Sequence, residues 1–341
     1  MASVSASEKT HPITLNDVQT AHDRIKKYIH ETPVLTSEAI NAITNSNSSG
    51  QRNISLYFKC ENFQKTGSFK IRGATNAIFS LTHQEANNGV CTHSSGNHAQ
   101  AVAQAALWRN IKATIVMPDN APVVKKNAVI GYKANVITCK QSERAKRCDE
   151  ISMEESKYFI HPSNNPLVMA GQGTIALEFL NQTSDLDAIV VPLGGGGLIS
   201  GISAAAKGMN PNIKIFGAEP LGANDAYRSK EANEILPHLP NAQTIADGLR
   251  TTLGSNTFPY VRDFVDKVFL VSEQEIVDAM KLVYERMKIV IEPSAGTGIA
   301  VATSSAFWEQ NGIVKENPKV GVVLCGGNID FKTFFRVDTF Q

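Results

Sequence analysis

Between residues 89 and 324, short apolar runs alternate with longer amphipathic stretches, and this alternation restricts the fold more than any other feature. Residues 89–93, 113–117, 134–139, 187–192, 213–218 and 320–324 read as strands. Residues 123–132, 142–157, 171–180, 198–208 and 273–288 read as helices, and an alanine-rich helix spans 99–108. A strand, a covering helix and a second strand running the same way build a parallel sheet with helices on both faces. The predicted class is therefore α/β: open, mostly parallel, twisted sheets flanked by helices. Such sheets place their sites beyond the carboxyl ends of the strands.

The compact strand–helix units from residue 87 to 164 suggest a small α/β domain inserted into a larger one made of 1–86 and 165–341. Residues 161–166 (HPSNNP) read as the return linker. In the N-terminal part, Asn16 is a candidate N-cap for a helix to about residue 28. Val18, Ala21, Ile25 and Ile29 recur there at helical spacing, and Pro33 is the stop. Residues 41–53, rich in Asn and Ser, read as a surface loop, and 54–59 alternate like a strand.

Residues suited to binding sit at the strand ends. Lys70 lies in SFKIRGATN (68–76) between Phe69 and Ile71, at the start of a helix that passes Ala77. A lysine so flanked either points to solvent or is held partly desolvated. Desolvation lowers its pKa and frees an amine able to condense with an aldehyde. Residues 94–98 (SSGNH) open a helix whose hydroxyls and N–H groups can receive a carboxylate, or serve as an ordinary serine N-cap; both can hold at once.

Gly194, Gly195, Gly196 and Gly197 join a strand to a helix. Amides can crowd round a phosphate there because side chains are absent. A merely flexible loop would lose entropy without return. A dinucleotide fingerprint is nearly met by Gly194, Gly196 and Gly201 with Glu219, but Gly201 is displaced from the expected place. Lys70 argues against that reading, since a dinucleotide enzyme has no use for it. Glu219 and Asp225 close on one loop and would suit a hard cation, although their spacing alone favours two solvated acids.

Composition removes several function classes. With 33 basic and 32 acidic residues the net charge is +1, and no basic run carries interleaved aromatics, so nucleic acid is not an expected partner. Five cysteines without a CxxC pair fit reduced thiols of a cytoplasmic protein better than disulfides or zinc. The first residues lack the pattern of a secretory signal, and no apolar run reaches membrane-spanning length.

In order and spacing, SFKIRGATN, SSGNH, the four glycines and LCGGNID (324–330) resemble the fold-type II, tryptophan synthase beta-like, pyridoxal-phosphate enzymes. The branch is the one holding serine racemases and serine/threonine dehydratases, and the resemblance covers nearly the whole chain. It implies that Lys70, beside Phe69, carries pyridoxal 5'-phosphate, with the phosphate on Gly194, Gly195, Gly196 and Gly197. It implies Asn97 facing the cofactor's 3-oxygen and Cys325 at the pyridine nitrogen, where racemases typically have serine and some dehydratases cysteine. A thiol is a weak, neutral partner that leaves the ring nitrogen unprotonated. Ser94, Ser95, Gly96, Asn97 and His98 are expected to grip the substrate carboxylate, with Ser95 working on the face opposite the lysine.

The same resemblance reverses the reading of the acids. It puts a magnesium, calcium or manganese ion on Glu219, the Ala223 carbonyl and Asp225, in a structural and activating role. The implied activity is racemisation of serine with concurrent elimination to pyruvate and ammonia. A dehydratase acting on L-threonine or L-serine is the alternative; a non-catalytic pyridoxal-phosphate or amino-acid sensor is a third, opposed by intact Lys70 and Ser95. Against a biosynthetic threonine dehydratase, the chain stops at Gln341; against a cysteine synthase, no threonine follows Asn97. A homodimer activated by magnesium-bound ATP is implied as well, although no GxxxxGK[ST] loop is present.

Overall fold

A computed structural model describes residues 11–48, 52–121, 123–240 and 242–330. Its ten strands are β1 (Val34–Leu35), β2 (Ser55–Lys59), β3 (Val90–His93), β4 (Ala113–Pro118), β5 (Asn135–Cys139), β6 (Tyr158–Phe159), β7 (Ala188–Pro192), β8 (Lys214–Pro220), β9 (Lys267–Val271) and β10 (Lys319–Val323). They form a six-stranded sheet in the order β1-β2-β10-β7-β8-β9 and a four-stranded sheet in the order β5-β4-β3-β6. The β1–β2 pair is antiparallel, and the strand pairs that complete the two sheets are parallel. Central β10 sets Val320 level with Leu56 of β2 on one side and Ala188 of β7 on the other. β7 is buried along its whole length, as expected of a strand covered by helices on both faces.

The helices bring the sites to one edge. Helix Pro166–Gln182 starts with Asn165 as N-cap and Pro166 in its first turn, where a missing N–H does no harm. It crosses helix Gly197–Met209 at glycines. A Cβ on Gly201 would lie 2.2 Å from the Met169 carbonyl oxygen, and one on Gly173 would lie 2.6 Å from that of Gly201. Gly201 is thus a helix-crossing residue, which accounts for its misplacement in a dinucleotide pattern.

Two residues beyond Lys70, helix Lys70–Ser80 is anchored by a fully buried ion network. Arg72 Nε and Nη2 donate to Glu61 at 2.7 Å, and Nη1 and Nη2 donate to Glu178 at 2.6 and 2.7 Å. Lys59 Nζ donates to Glu178 and to the Thr32 carbonyl, both at 2.8 Å. Two cations meet two carboxylates with their hydrogen bonds satisfied, the condition under which buried charge is tolerated.

Several local expectations are corrected. Residues 41–47 are helical, within Glu38–Asn47: Ser37 caps the helix, and Ile40 and Thr44 face inward among the polar residues. The first helix is Leu15–Ile25, capped by Thr14 rather than Asn16 through a capping box with Asp17. The expected helix 142–157 is Arg144–Glu154, followed by the unanticipated strand β6. Strand β9 and helix Phe258–Asp263 were likewise not foreseen. No helix among the described residues is long and apolar enough to cross a membrane.

Candidate active site

Lys70 reaches its position through two tight turns after β2, Glu61–Phe63 and Lys65–Gly67. The segment is stitched to the turn after β10. The Phe69 N–H donates to the Cys325 carbonyl at 3.0 Å, and the Gly327 N–H donates to the Gly67 carbonyl at 2.9 Å. The Lys70 amine donates to the Pro162 carbonyl at 2.8 Å and lies 5.1 Å from the centre of the Phe69 ring. Burial lowers its pKa from 10.5 to about 8, against the opposing pull of Cys325 and Glu292. A fraction of the amine is therefore neutral near neutral pH.

This lysine opens into a cleft of about 990 Å³. Phe69, Ser94, Ser95, Gly96, Asn97, His98, Cys325 and all four glycines 194–197 line it, so the structure gathers these residues into one place. Two helices aim their N-termini there. Helix Asn97–Arg109 follows β3, and its N-cap Gly96 offers no side-chain cap. Helix Gly197–Met209 follows β7, and its N-cap Gly196, at φ +80°, offers none either. Uncapped first-turn amides with the positive end of the helix dipole form a site for an anion. The cleft therefore has two anion sites and, in Lys70, an amine of lowered pKa; Lys125 lines it as well.

The glycine loop fits a phosphate. A Cβ on Gly195 would sit 2.6 Å from Ser163 Oγ, so only glycine lets the loop close on this residue. That hydroxyl is buried and has no hydrogen-bond partner, as expected if it awaits an acceptor. His161, Pro162 and Ser163 thus form a wall of the cleft, while Asn165 caps the helix that follows. Pro162 holds Lys70, Ser163 faces the glycines, and His161 Nδ1 accepts the N–H groups of Ser163 and Asn164 at 3.1 and 2.8 Å. Burial drives His161 down to about 4, so it is neutral and can accept. His98, well below its ordinary value through burial, is neutral too.

Cys325 is buried beside Lys70, and burial pushes its thiol well up, which keeps it uncharged. Ser163 was missed in the sequence, and so was a carboxylate. Glu292, 3 % exposed, accepts from Asn97 Nδ2 at 2.8 and 3.0 Å and from the Asn328 N–H at 3.2 Å. Burial raises it to about 7. Its signal was slight: a glutamate directly before the proline that opens helix Pro293–Thr303.

Glu219, Ala223 and Asp225 do not line the cleft; they lie together at the end of β8. Glu219 accepts the N–H groups of Ala226 and Tyr227, both at 2.8 Å, and burial lifts it to about 8. Asp225 accepts the Leu253 N–H at 3.1 Å. Its Oδ1 stands 3.0 Å from His238 Nδ1 without hydrogen-bond geometry and has no hydrogen-bond partner. Among the described residues no group of three or more His, Cys, Asp and Glu side chains is spaced for a metal, so the pair would need the Ala223 carbonyl or water to complete a shell. His238 also lines the cleft, and it links the two places.

Comparison with known proteins agrees with this geometry. A family model described as pyridoxal-phosphate dependent enzyme matches residues 25–326. The serine racemase of Dictyostelium discoideum is 50% identical over 328 residues, 95% of this chain and 98% of the relative. A crystal structure of serine racemase from the same organism superposes with a TM-score of 0.86 at 51% identity, covering 94% of this chain and 99% of its own. The processed form of threonine deaminase isoform 2 from Solanum lycopersicum superposes with a TM-score of 0.83 at 34% identity, covering 94% of this chain and 90% of its own.

Proposed function

The chain belongs to the pyridoxal-phosphate dependent enzymes, and from that premise we propose that it interconverts L- and D-serine and, in the same cleft, eliminates serine to pyruvate and ammonia. One observation carries this reading: a lysine of lowered pKa shares one cleft with two uncapped helix N-termini. One helix end suits the cofactor's phosphate, the other the substrate's carboxylate, and the amine suits the aldehyde. When bound, pyridoxal phosphate supplies a carbonyl that captures the substrate's amino group and a ring that accepts electron density as the Cα proton leaves.

The chain's own groups do the rest. The amides of 194–197 and the free Ser163 hydroxyl hold the phosphate, and Cys325 gives the ring nitrogen a neutral neighbour. The loop of Ser94, Ser95, Gly96, Asn97 and His98 orients the substrate carboxylate. Lys70, carried by the large sheet's side of the cleft, takes the Cα proton on one face. Ser95, carried by the loop after β3 of the other sheet, returns a proton on the opposite face. Loss of the β-hydroxyl instead of reprotonation leads, after hydrolysis, to pyruvate and ammonia. Incubation of the purified protein with L-serine is expected to yield D-serine and pyruvate together. Pyruvate alone, with 2-oxobutyrate from L-threonine, would make the protein a dehydratase; binding without turnover would make it a sensor.

The reading extends to a divalent cation on Glu219, the Ala223 carbonyl and Asp225. Two adjacent buried carboxylates, each raised by burial, lack a hydrogen-bonded positive partner, and such an ion would supply the charge. Chelation of divalent cations is expected to lower both activity and the thermal midpoint; if both stay put, this assignment is wrong. The resemblance also supports residues 87–164 as a smaller unit set against 1–86 and 165–341, and the separate four-stranded sheet accords with that. A cytoplasmic homodimer activated by magnesium-bound ATP is carried by the resemblance alone.

A further inference from the structure

Among the described residues lining the cleft, Glu292 is the buried carboxylate. It stands at the end of a chain of amides. Asn328 Nδ2 donates to the Thr66 carbonyl at 2.7 Å and to Asn97 Oδ1 at 2.9 Å. Asn97 Nδ2 in turn donates to Glu292, lying 2.8 Å from Oε1 and 3.0 Å from Oε2. A backbone carbonyl at one end and a carboxylate at the other can only accept. Every amide between them is therefore fixed in direction. Asn328 must turn its NH2 to Thr66, and Asn97 must turn its carbonyl to Asn328 and its NH2 to Glu292.

An amide nitrogen carries two hydrogens. The one directed between the two carboxylate oxygens is used. The other meets no protein acceptor among the described residues, and Asn97 borders the cleft. Gly326 leaves space for this carboxylate: a Cβ there would come within 2.8 Å of Glu292 Oε1.

We propose that Glu292 is a positioning residue: acting through Asn97, it holds one N–H toward the cleft for the phenolic oxygen of the cofactor, and so sets how readily that oxygen takes up a proton. The proposal rests on the reading that pyridoxal phosphate sits in this cleft on Lys70. The groups that face Glu292 fit the role. Asp247 opposes its charge and Lys125 favours it. Lys70 and Cys325 both lie within its electrostatic reach. Raised to about 7 by burial, the carboxyl is an anion above that pH and holds the amide firmly; as pH falls through 7 it gains a proton and the clamp slackens.

The test follows the absorbance of the cofactor-loaded protein across pH. In Glu292→Gln the midpoint of the spectral titration is expected to move by about one unit, with kcat falling roughly tenfold and KM changing less. In an Asn97→Ala background the same substitution is expected to add no further shift, because residues acting through one another are not additive. An unmoved titration in Glu292→Gln, or an equal shift added to that of Asn97→Ala, overturns the proposal. Should Glu292→Gln fail to fold, Asn328→Ala frees the other end of the same amide; a shift in its titration upholds the proposal and its absence refutes it. A wild-type protein without the absorbance band sinks the cofactor reading and this proposal with it, whereas a normal wild-type band beside unmoved variants sinks the proposal alone.

Discussion

Lys70→Ala is expected to lower the formation of both D-serine and pyruvate by roughly 10^4-fold, because a general base alone is worth up to about that factor. It should also leave borohydride with nothing to fix at this position. Loss of fold can be told apart from loss of chemistry by the pH dependence of stability. The Lys70 amine titrates at about 8 in the folded chain against an ordinary 10.5. Between those values the unfolded chain binds more protons than the folded one, so stability of the cofactor-free protein rises with pH through that window. Below about pH 8 the buried charge is a burden that alanine removes. The variant should accordingly be at least as stable as the parent at neutral pH while inactive. Reaction of the cofactor-free parent with pyridoxal phosphate should accelerate as pH rises to about 8 and then level off. An active Lys70→Ala, or uptake that keeps climbing to the pH of a free lysine, would remove the amine from its role.

Most strands were legible because their signal is local, although β9 (KVFLV) carries the same signal and was passed over. Runs such as AIVVP at β7 and KVGVV at β10 are apolar almost throughout, and a strand buried on both faces can hardly read otherwise. Where few residues carry the signal, it failed. Helix Glu38–Asn47 depends on one serine cap and two buried positions, set among Asn and Ser residues that resemble a loop. Strand β6 has two residues and exists because β3 offers it an edge. The lysine, the SSGNH loop and the glycines could be picked out since each concentrates unusual chemistry in a few consecutive positions. Glu292 could not be, as it meets Asn97 across 195 positions of chain. Ser163 likewise becomes informative only once its hydroxyl is found buried and unpartnered against Gly195. Lys59, Glu61, Arg72 and Glu178 are ordinary charges in the sequence; burial alone turns them into the anchor of the lysine helix.

Ser95→Ala is expected to separate the two products. Inversion requires that a proton leave one face of Cα and return on the other; elimination requires only that it leave. The substitution touches the return. D-serine formation should fall roughly 10^2- to 10^4-fold, the range for loss of a positioned acid or base, with pyruvate formation changed far less. The fold should not suffer. Ser95 is partly exposed on the loop after β3, and the local hydrogen bond there, from the Gly96 N–H at 3.3 Å, goes to Ser94 Oγ. Ser94→Ala is thus the matched control: it perturbs the loop yet leaves the second-face group in place, and it should retain inversion in proportion to elimination. In deuterated water, Ser95→Ala should still exchange the Cα hydrogen of L-serine through Lys70 and return mostly L-serine. If the variant keeps the parent's ratio of D-serine to pyruvate, the second proton comes from another group, and the two-sided reading of the cleft fails while the cofactor assignment stands.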